Sequence, residues 1–329
     1  MRFPTWKTLE SRARALSALR AFFGQRGYLE IESRAMRETT ANDPYIESFK
    51  TAWCCAERPF FLQTSPEYAH KILLSQYRHP IFEVARVFRN EPHGALHRRE
   101  FTLAEWYMPD ADYRDMMCET EALVREISSA LGATYWHSNA RENSHPITIS
   151  PEPFERLTVA QAFERYAGFS PIGMDKGALV RAALAAGSRV NESWSWNDIM
   201  NCVLVDRVEP NLGMERPTYL IDYPASMASL AQVRHTPDGD VAERFELYIC
   251  GIELCNGYSE LNDAVELRQR FEADNQERLS LGLEALPIDE VLLSALPKLG
   301  KLGGNALGFE RLLMLCLHLD EMGDVMFEA

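Results

Sequence analysis

The first segment of the chain carries apolar residues at helical spacing. Leu9, Ala13, Leu16, Leu19 and Phe23 lie three or four positions apart, and glycines follow at 24 and 27. Side chains at this spacing line one face of a helix, and glycine commonly ends one. The pattern predicts a helix from about residue 8 to 24. The same criteria predict helices at 67–74, 119–131, 157–167, 176–186, 260–281 and 309–319.

Alternating apolar and polar positions predict strands at 28–32, 81–88, 101–106, 219–223 and 244–254. Irregular segments are expected at 37–58, 89–100 and 137–153, and a glycine-rich segment at 297–308. Strands follow one another with few intervening helices, which favours an α+β domain with a mainly antiparallel sheet flanked by helices. We expect one domain over 1–329, with a helical insertion around 135–215.

The composition argues against a nucleic-acid-binding protein, a disulfide-rich protein and a membrane protein. The formal net charge is −14, whereas proteins that bind nucleic-acid phosphates usually present a basic surface. The seven cysteines form no CxxC pair and are odd in number, which indicates reduced thiols rather than a disulfide framework. The chain shows neither an apolar leader nor the ~18 consecutive apolar residues of a membrane span. A cytoplasmic protein with no membrane contact is expected.

One hairpin carries candidate chemistry. Arg89 ends a strand, a charged loop follows, and Phe101 opens the return strand. An arginine can form a bidentate pair with a phosphate, and a nucleotide base can stack on the flat face of an aromatic ring. Glu105 and Tyr107 share a strand face with Phe101 because side chains alternate with a period of two. The segment therefore predicts a nucleotide site, although an exposed charged hairpin remains an alternative.

A second candidate segment lies near the C-terminus. It reads Gly303-Gly-Asn-Ala-Leu-Gly-Phe-Glu-Arg-Leu-Leu-Met-Leu315. Glycine lets the backbone approach a ligand closely, and a strand-to-helix turn at Gly308 would direct Arg311 toward the same nucleotide. The alternative is a glycine turn before a buried helix, with Glu310 and Arg311 as a surface ion pair.

Together the two segments resemble motifs 2 and 3 of the class II aminoacyl-tRNA synthetases. The matching residues are Phe-Arg-Asn-Glu from Phe88, Glu-Phe-Thr from Glu100, Glu-Trp-Tyr from Glu105 and Gly-Phe-Glu-Arg from Gly308. The segment from Gly251 to Asp263 and Thr64-Ser-Pro-Glu67 resemble the lysyl branch. The segment 223–232 is most similar to the truncated paralogues that modify elongation factor P. The resemblance extends to about Leu317 and implies the class II catalytic fold.

The resemblance implies roles for particular residues. Arg89 and Arg311 would be catalytic. ATP would be bound by Arg89, Asn90, Glu91, His97, Arg98, Phe101, Glu253, Leu254, Gly308 and Arg311. The amino acid would be surrounded by Ser65, Pro66, Glu67, Glu105, Tyr107, Asn256, Tyr258, Glu260 and Ala306. Mg²⁺ would be held by Glu253 and Glu260. From the residues alone, Glu260 and Asp263 are also candidates for capping the helix that follows, and Ala306 for a neutral turn residue.

This sequence departs from the family pattern at two places. The first motif usually has a proline where the chain reads Glu32-Ser33-Arg34, and that motif supports a homodimer. The motif 2 loop usually has an arginine shortly before its histidine. Here Ala95 and Leu96 precede His97, so Arg98 or Arg99 is expected to contact the γ-phosphate instead.

The resemblance implies a ligase that uses ATP and Mg²⁺. It would activate (R)-β-lysine or lysine as an adenylate and transfer it to the ε-amine of a lysine on elongation factor P. Two alternatives stay open: a lysyl-tRNA synthetase, and an inactive paralogue that only binds. The first would need an anticodon-binding domain, and the first helix is expected to begin at about residue 8. An inactive paralogue is expected to have lost residues that bind ATP, yet Arg89, Glu91 and Arg311 are all present.

Overall fold

The computed structural model describes residues 3–52, 54, 58–138, 140 and 144–327. The helices are α1 Trp6–Gln25, α2 Glu67–Leu74, α3 Tyr113–Leu131, α4 Val159–Tyr166, α5 Lys176–Ala185, α6 Trp196–Val203, α7 Ala264–Ser280, α8 Glu290–Ala295 and α9 Phe309–Leu317. The strands are β1 Leu29–Glu30, β2 Met36–Arg37, β3 Lys50–Thr51, β4 Phe60–Leu62, β5 Ile81–Phe88, β6 Glu100–Pro109, β7 Tyr135–Trp136, β8 Ile147–Thr148, β9 Glu155–Thr158, β10 Thr218–Pro224, β11 Val233–Thr236, β12 Gly239–Ile249, β13 Ile252–Ser259 and β14 Leu302–Gly308.

A large sheet forms the centre of the molecule. Its strands run in the order β1-β5-β6-β14-β13-β12-β10-β9, and β11 pairs with β12. The pairs from β5 to β10 are antiparallel, whereas β1 and β9 join parallel at the two edges. Helices α1, α3 and α9 pack together against this sheet. The expected α+β fold with a mainly antiparallel sheet is confirmed.

The glycine-rich segment 297–308 carries no strand-like alternation, yet its last seven residues form the central strand β14. Gly303 and Gly304 have no side chain to indicate a strand, but β14 pairs with β6 on one side and β13 on the other. A Cβ on either glycine would collide with neighbouring side chains: Met116 at Gly303, and Glu260 and Tyr107 at Gly304. The glycines are needed because the sheet is tightly covered at this point.

Several predicted boundaries are wrong. The expected strand 244–254 is two strands, β12 and β13, joined at Cys250 and Gly251. Both of these residues have positive φ, at 54° and 69°, as a two-residue hairpin turn requires. The expected helix 157–167 starts at Val159 because Thr158 caps it and the residues before it form β9. Helix α3 starts six positions earlier than expected, at a capping box between Asp112 and Asp115.

The helices α4, α5 and α6 share a hydrophobic cluster of their own. Phe163, Leu179 and Ile199 are among its buried members, and it rests on Tyr223 of β10 and Tyr248 of β12. These helices fall within the stretch 135–215, where a helical insertion is expected from the sequence. Their packing ties that stretch to one end of the large sheet.

The described cysteines are free thiols: Cys54, Cys118, Cys202, Cys250, Cys255 and Cys316. Cys55 lies outside the described residues. Among the helices of the described part of the chain, none is long and apolar enough to cross a membrane.

Candidate active site

One cleft collects residues from distant parts of the sequence. It has a volume of 530 Å³ and lies against β6, β12, β13 and β14, with the loop of residues 41–46 and helix α7 at its rim. Phe101, Leu103, Glu105 and Tyr107 of β6 all line it, so the prediction that they share one face is confirmed. The hairpin is therefore not merely an exposed, charged loop.

Arg89 begins the loop between β5 and β6. Its guanidinium carbon lies 5.2 Å from the centre of the Phe101 ring. Its Nε is buried and has no hydrogen-bond partner among the described residues. Because Arg89 lines the cleft beside this ring, its guanidinium is placed to bind a phosphate of a nucleotide there.

Arg311 reaches the same region from the first turn of α9. Its Nη1 donates to the carbonyl oxygen of Glu253 at 2.8 Å, and its Nη2 lies 3.2 Å from Nε2 of His97. Gly308 is the last residue of β14 and the N-cap residue of α9, which confirms the predicted strand-to-helix turn. The alternative of a surface ion pair with Glu310 is wrong. Glu310 is fully buried and pairs with Arg12 at 2.9 Å.

Two carboxylates face the cleft from neighbouring strands, Glu246 of β12 and Glu253 of β13. Burial and then the charge of Glu246 raise the pKa of Glu253, while Arg311 and Arg89 act to lower it. Glu246 already accepts hydrogen bonds from the Tyr223 and Tyr248 hydroxyls, at 2.6 and 2.7 Å. Glu253 is therefore the carboxylate here that fits Mg²⁺, which usually binds one or two carboxylates and completes its shell with phosphate oxygens and water. Glu260, the other expected ligand, pairs with Lys71 instead. Sequence reasoning assigned no role to Glu246.

A second group of carboxylates extends from the middle of β13, where Glu105 lies level with Asn256, to just past the end of the strand. Glu67, Glu105 and Glu260 all line the cleft. Glu105 accepts hydrogen bonds from Ser65 Oγ and from the Tyr107 hydroxyl, each at 2.8 Å. Burial raises the pKa of Glu260 to about 8, although the ammonium of Lys71 lowers it. Carboxylates concentrated in this way are suited to ammonium groups.

Two buried cations stand behind these carboxylates. Lys71 donates to Glu67 and forms an ion pair with Glu260, each at 2.6 Å. The ring of His70 lies between Glu83, at 2.8 Å, and Glu105, at 3.5 Å. Sequence reasoning missed both cations, although the four-residue spacing of Glu67 and Lys71 on a helix was a visible signal.

Glu260 does not cap helix α7. Asp263 does so, because its side chain accepts from the backbone N–H groups of Val265 and Glu266. The capping interpretation is therefore wrong for Glu260 and confirmed for Asp263. Ala306 is not a turn residue either. It lies in the middle of β14, paired with Asn256 on one side and Glu105 on the other, and it lines the cleft.

Most of the predicted site residues line this cleft: Ser65, Glu67, Arg89, Glu91, His97, Arg98, Phe101, Glu105, Tyr107, Glu253, Leu254, Asn256, Tyr258, Glu260, Ala306, Gly308 and Arg311. Asn90 and Pro66 do not. Asn90 is exposed and its backbone N–H donates to Glu47, while Pro66 is the buried N-cap residue of α2. Of the two arginines after His97, Arg98 lines the cleft, whereas Arg99 is exposed and donates to the Glu91 carbonyl.

Comparison with known proteins agrees with this geometry. The family model described as tRNA synthetases class II (D, K and N) matches residues 3–327. Proteins named elongation factor P–(R)-β-lysine ligase from Sodalis glossinidius, Proteus mirabilis and Pectobacterium atrosepticum are similar to this chain. Each is 38% identical over 324 residues, which cover 96% of this chain and 93% of the relative.

Proposed function

Because this chain belongs to the class II tRNA synthetase family (D, K and N) and is a ligase, we propose that it joins (R)-β-lysine, or lysine, to elongation factor P at the expense of ATP. The observation that carries the proposal is the composition of a single cleft. Arg89, Arg311, Phe101 and Glu253 lie toward the start of β13. Glu67 and Glu260, joined through Lys71, lie toward its far end, and Glu105 lies between them, level with Asn256 in the middle of the strand. The first group suits a nucleotide, and the three carboxylates of the second suit a small molecule with two ammonium groups.

In the first step, a carboxylate oxygen of the amino acid attacks the α-phosphorus of ATP. The bond to pyrophosphate breaks, and an aminoacyl-adenylate forms. Arg89 offsets negative charge on the α-phosphate, and Phe101 and Arg311 stack on the two faces of the adenine. Glu253 would hold Mg²⁺, which would neutralise further phosphate charge. The enzyme contributes mainly by positioning and charge, as in other phosphoryl chemistry.

In the second step, the neutral ε-amine of an acceptor lysine attacks the carbonyl carbon of the adenylate. AMP leaves with the bonding electron pair, the amine loses a proton, and an amide forms. No nucleophile of this chain is required, since the acceptor supplies one. Glu67, Glu105 and Glu260 hold the amino acid in place meanwhile by binding its ammonium groups.

We further propose that the protein acts in the cytoplasm as a homodimer and does not use tRNA. Its net charge of −14 opposes contact with nucleic-acid phosphates. The edge strand β1 pairs only with β5 among the described strands, and its Leu29 is 58% exposed, which would suit a contact with a second copy. Light scattering on the purified protein tests the dimer, and a single-chain mass would contradict it.

The decisive experiment combines the protein with ATP, Mg²⁺, one lysine isomer and purified elongation factor P, followed by intact mass analysis. We expect elongation factor P to gain the mass of one lysyl group. A parallel reaction with tRNA in place of elongation factor P should give no aminoacylation. Strong charging of tRNA, with elongation factor P unchanged, would establish the tRNA synthetase alternative. Absence of pyrophosphate exchange with every isomer would favour the inactive paralogue.

A further inference from the structure

Helix α2 places two consecutive cations, His70 and Lys71, inside the protein. Both side chains are fully buried, and neither lines the cleft. Buried basic residues are costly unless they are paired, because water no longer solvates their charge. Their position behind the cleft carboxylates therefore needs an explanation that packing alone does not supply.

Lys71 connects two carboxylates that come from distant parts of the chain. Glu67 lies one helical turn before it on α2, and Glu260 lies just after β13. Both carboxylates also border the cleft, so each is shared between the internal ammonium and the cleft interior. Burial acts to lower the pKa of Lys71, but Glu260 and Glu67 raise it overall, so the side chain is charged.

His70 has the same relation to Glu105. Burial acts to lower the pKa of His70, but Glu105 and Glu83 more than offset this and raise it to about 9. The ring is thus an imidazolium at neutral pH, with both nitrogens facing carboxylates. Glu83 is further held by the backbone N–H and the hydroxyl of Ser33, each at 3.1 Å, and lies behind the cleft wall rather than on it.

The carboxylates around His70 and Lys71 outnumber these two cations. With every carboxylate ionised, Glu67, Glu83, Glu105 and Glu260 exceed the two cations by two negative charges. Tyr107 and Tyr258, which also face the group, stay neutral because burial raises the pKa of each. A substrate with two ammonium groups would balance the excess, while its carboxylate turns toward Arg89. With one ammonium, either a buried charge stays unpaired or Glu260 keeps the proton that its pKa of about 8 favours, and in both cases one ion pair is lost.

We propose that His70 and Lys71 are positioning residues whose buried charges orient the cleft carboxylates and set the pocket to accept a substrate with two ammonium groups. This inference rests on the proposed adenylation of a lysine isomer. Removing either cation leaves adjacent carboxylates without a counter-ion, so one of them takes up a proton. The pocket then binds the substrate ammonium less well, although no residue that touches the substrate has changed.

The test uses Lys71→Gln and His70→Gln, which keep hydrogen-bond donors but remove the charge. Pyrophosphate exchange is measured with a lysine isomer and with its analogue that lacks the terminal amine. For each variant we expect the KM for the lysine isomer to rise on the order of 10- to 100-fold, with the KM for ATP within about twofold. The preference for the diamine over the monoamine should fall by a similar factor, and the KM should recover toward pH 9.

Matched controls are Lys176→Gln and His235→Gln, which alter exposed residues far from α2 in sequence. Lys71→Arg restores the charge and should recover the diamine preference even if its turnover is slower. If Lys71→Gln does not fold, His70→Gln provides an independent test through Glu105. A wild-type protein that exchanges pyrophosphate with no lysine isomer would contradict the proposed function. An active wild type with variants unchanged in diamine preference and pH profile would overturn this inference alone.

Discussion

At the residue scale, several side chains that line the cleft have buried polar atoms with no hydrogen-bond partner among the described residues. Arg89 shows this most clearly, with a buried, unpaired Nε beside the Phe101 ring. Ala306 contributes only a methyl group, and it is paired with Asn256 on one neighbouring strand and Glu105 on the other. Both residues are open to substitutions that leave the surrounding strands intact.

Arg89→Ala should lower the rate of adenylate formation by ~10²–10³, because one preorganised charge contact to the reacting phosphate is lost. The melting temperature should change little, since Arg89 lies in the loop after β5. Pyrophosphate exchange and thermal melting measure the two effects. The control is Arg86→Ala, an exposed arginine of β5. Exchange close to wild type in Arg89→Ala would remove this residue from the reaction.

Ala306→Gly should narrow or reverse a preference for β-lysine over α-lysine. The methyl group of Ala306 occupies space in the cleft next to Glu105, where it would displace an α-amino group and tolerate one that is a carbon further along. Discrimination by one methyl is limited to about 10–200-fold, so α-lysine should remain a poor substrate of the wild type. Adenylation assays with both isomers decide the matter. If the ratio of β-lysine to α-lysine activity is the same in the wild type and in Ala306→Gly, Ala306 does not determine the choice of isomer.

At the scale of the elements, strand β14 and helix α2 shape the amino-acid end of the cleft. Strand β14 consists largely of small residues, which lets Glu260 and Tyr107 lie directly over its backbone. Helix α2 presents Glu67 to the cleft and turns His70 and Lys71 to the interior. The two elements do not follow one another in the chain, so neither arrangement is a local property.

Gly304→Ala should impair amino-acid binding while the fold persists. A Cβ at this position would collide with the Glu260 carboxylate and would lie 2.5 Å from a ring carbon of Tyr107. We expect the KM for a lysine isomer to rise about 10-fold or more, in line with displacement of one charged hydrogen bond. The control is Gly24→Ala, where a Cβ meets nothing within 4 Å. An unchanged KM in Gly304→Ala would show that Glu260 does not bind the substrate.

At the scale of the whole molecule, the cleft gathers its charges from α2, β6 and the segment after β13. Burial raises the pKa of Glu67 and of Glu260, and the negative charge of Glu105 raises each further. Burial raises the pKa of Glu260 to about 8, so this carboxyl is largely protonated at pH 7. A bound ammonium group lowers the pKa again and releases the proton.

Binding of a lysine isomer at pH 7 should therefore release about one proton, and affinity should increase from pH 6 to 8 as Glu260 deprotonates. Calorimetry in two buffers of different ionisation enthalpy measures the number of protons. Glu260→Gln should abolish the release and weaken amino-acid binding more than ATP binding. If the wild type binds the amino acid without proton exchange at pH 7, then Glu260 is already ionised and this assignment is wrong.

The sequence by itself determined the fold class and most of the candidate site. Arg89 at a strand end, and Phe101, Glu105 and Tyr107 at alternate positions, are local features, and local spacing fixes which side chains share a face. Helix α2 was predicted with its observed bounds because Ser65 and Pro66 mark its start. The motifs around Arg89 and Arg311 predicted a single nucleotide site, although the sequence does not show how close the two motifs lie in the folded chain.

The tertiary structure decided which charges meet. Glu67, Glu105 and Glu260 lie far apart in sequence, and His70, Lys71, Glu83 and Glu246 gain their meaning only from the carboxylates or cations packed beside them. Sequence patterns also missed β14, because its glycines leave no alternation to detect, and the turn at Cys250 and Gly251, because apolar residues continue on both sides. The local spacing of residues determines on which face of its own helix or strand a side chain lies. The residues that this side chain contacts depend on how distant strands and helices pack together, and here that packing determines the charge of the cleft.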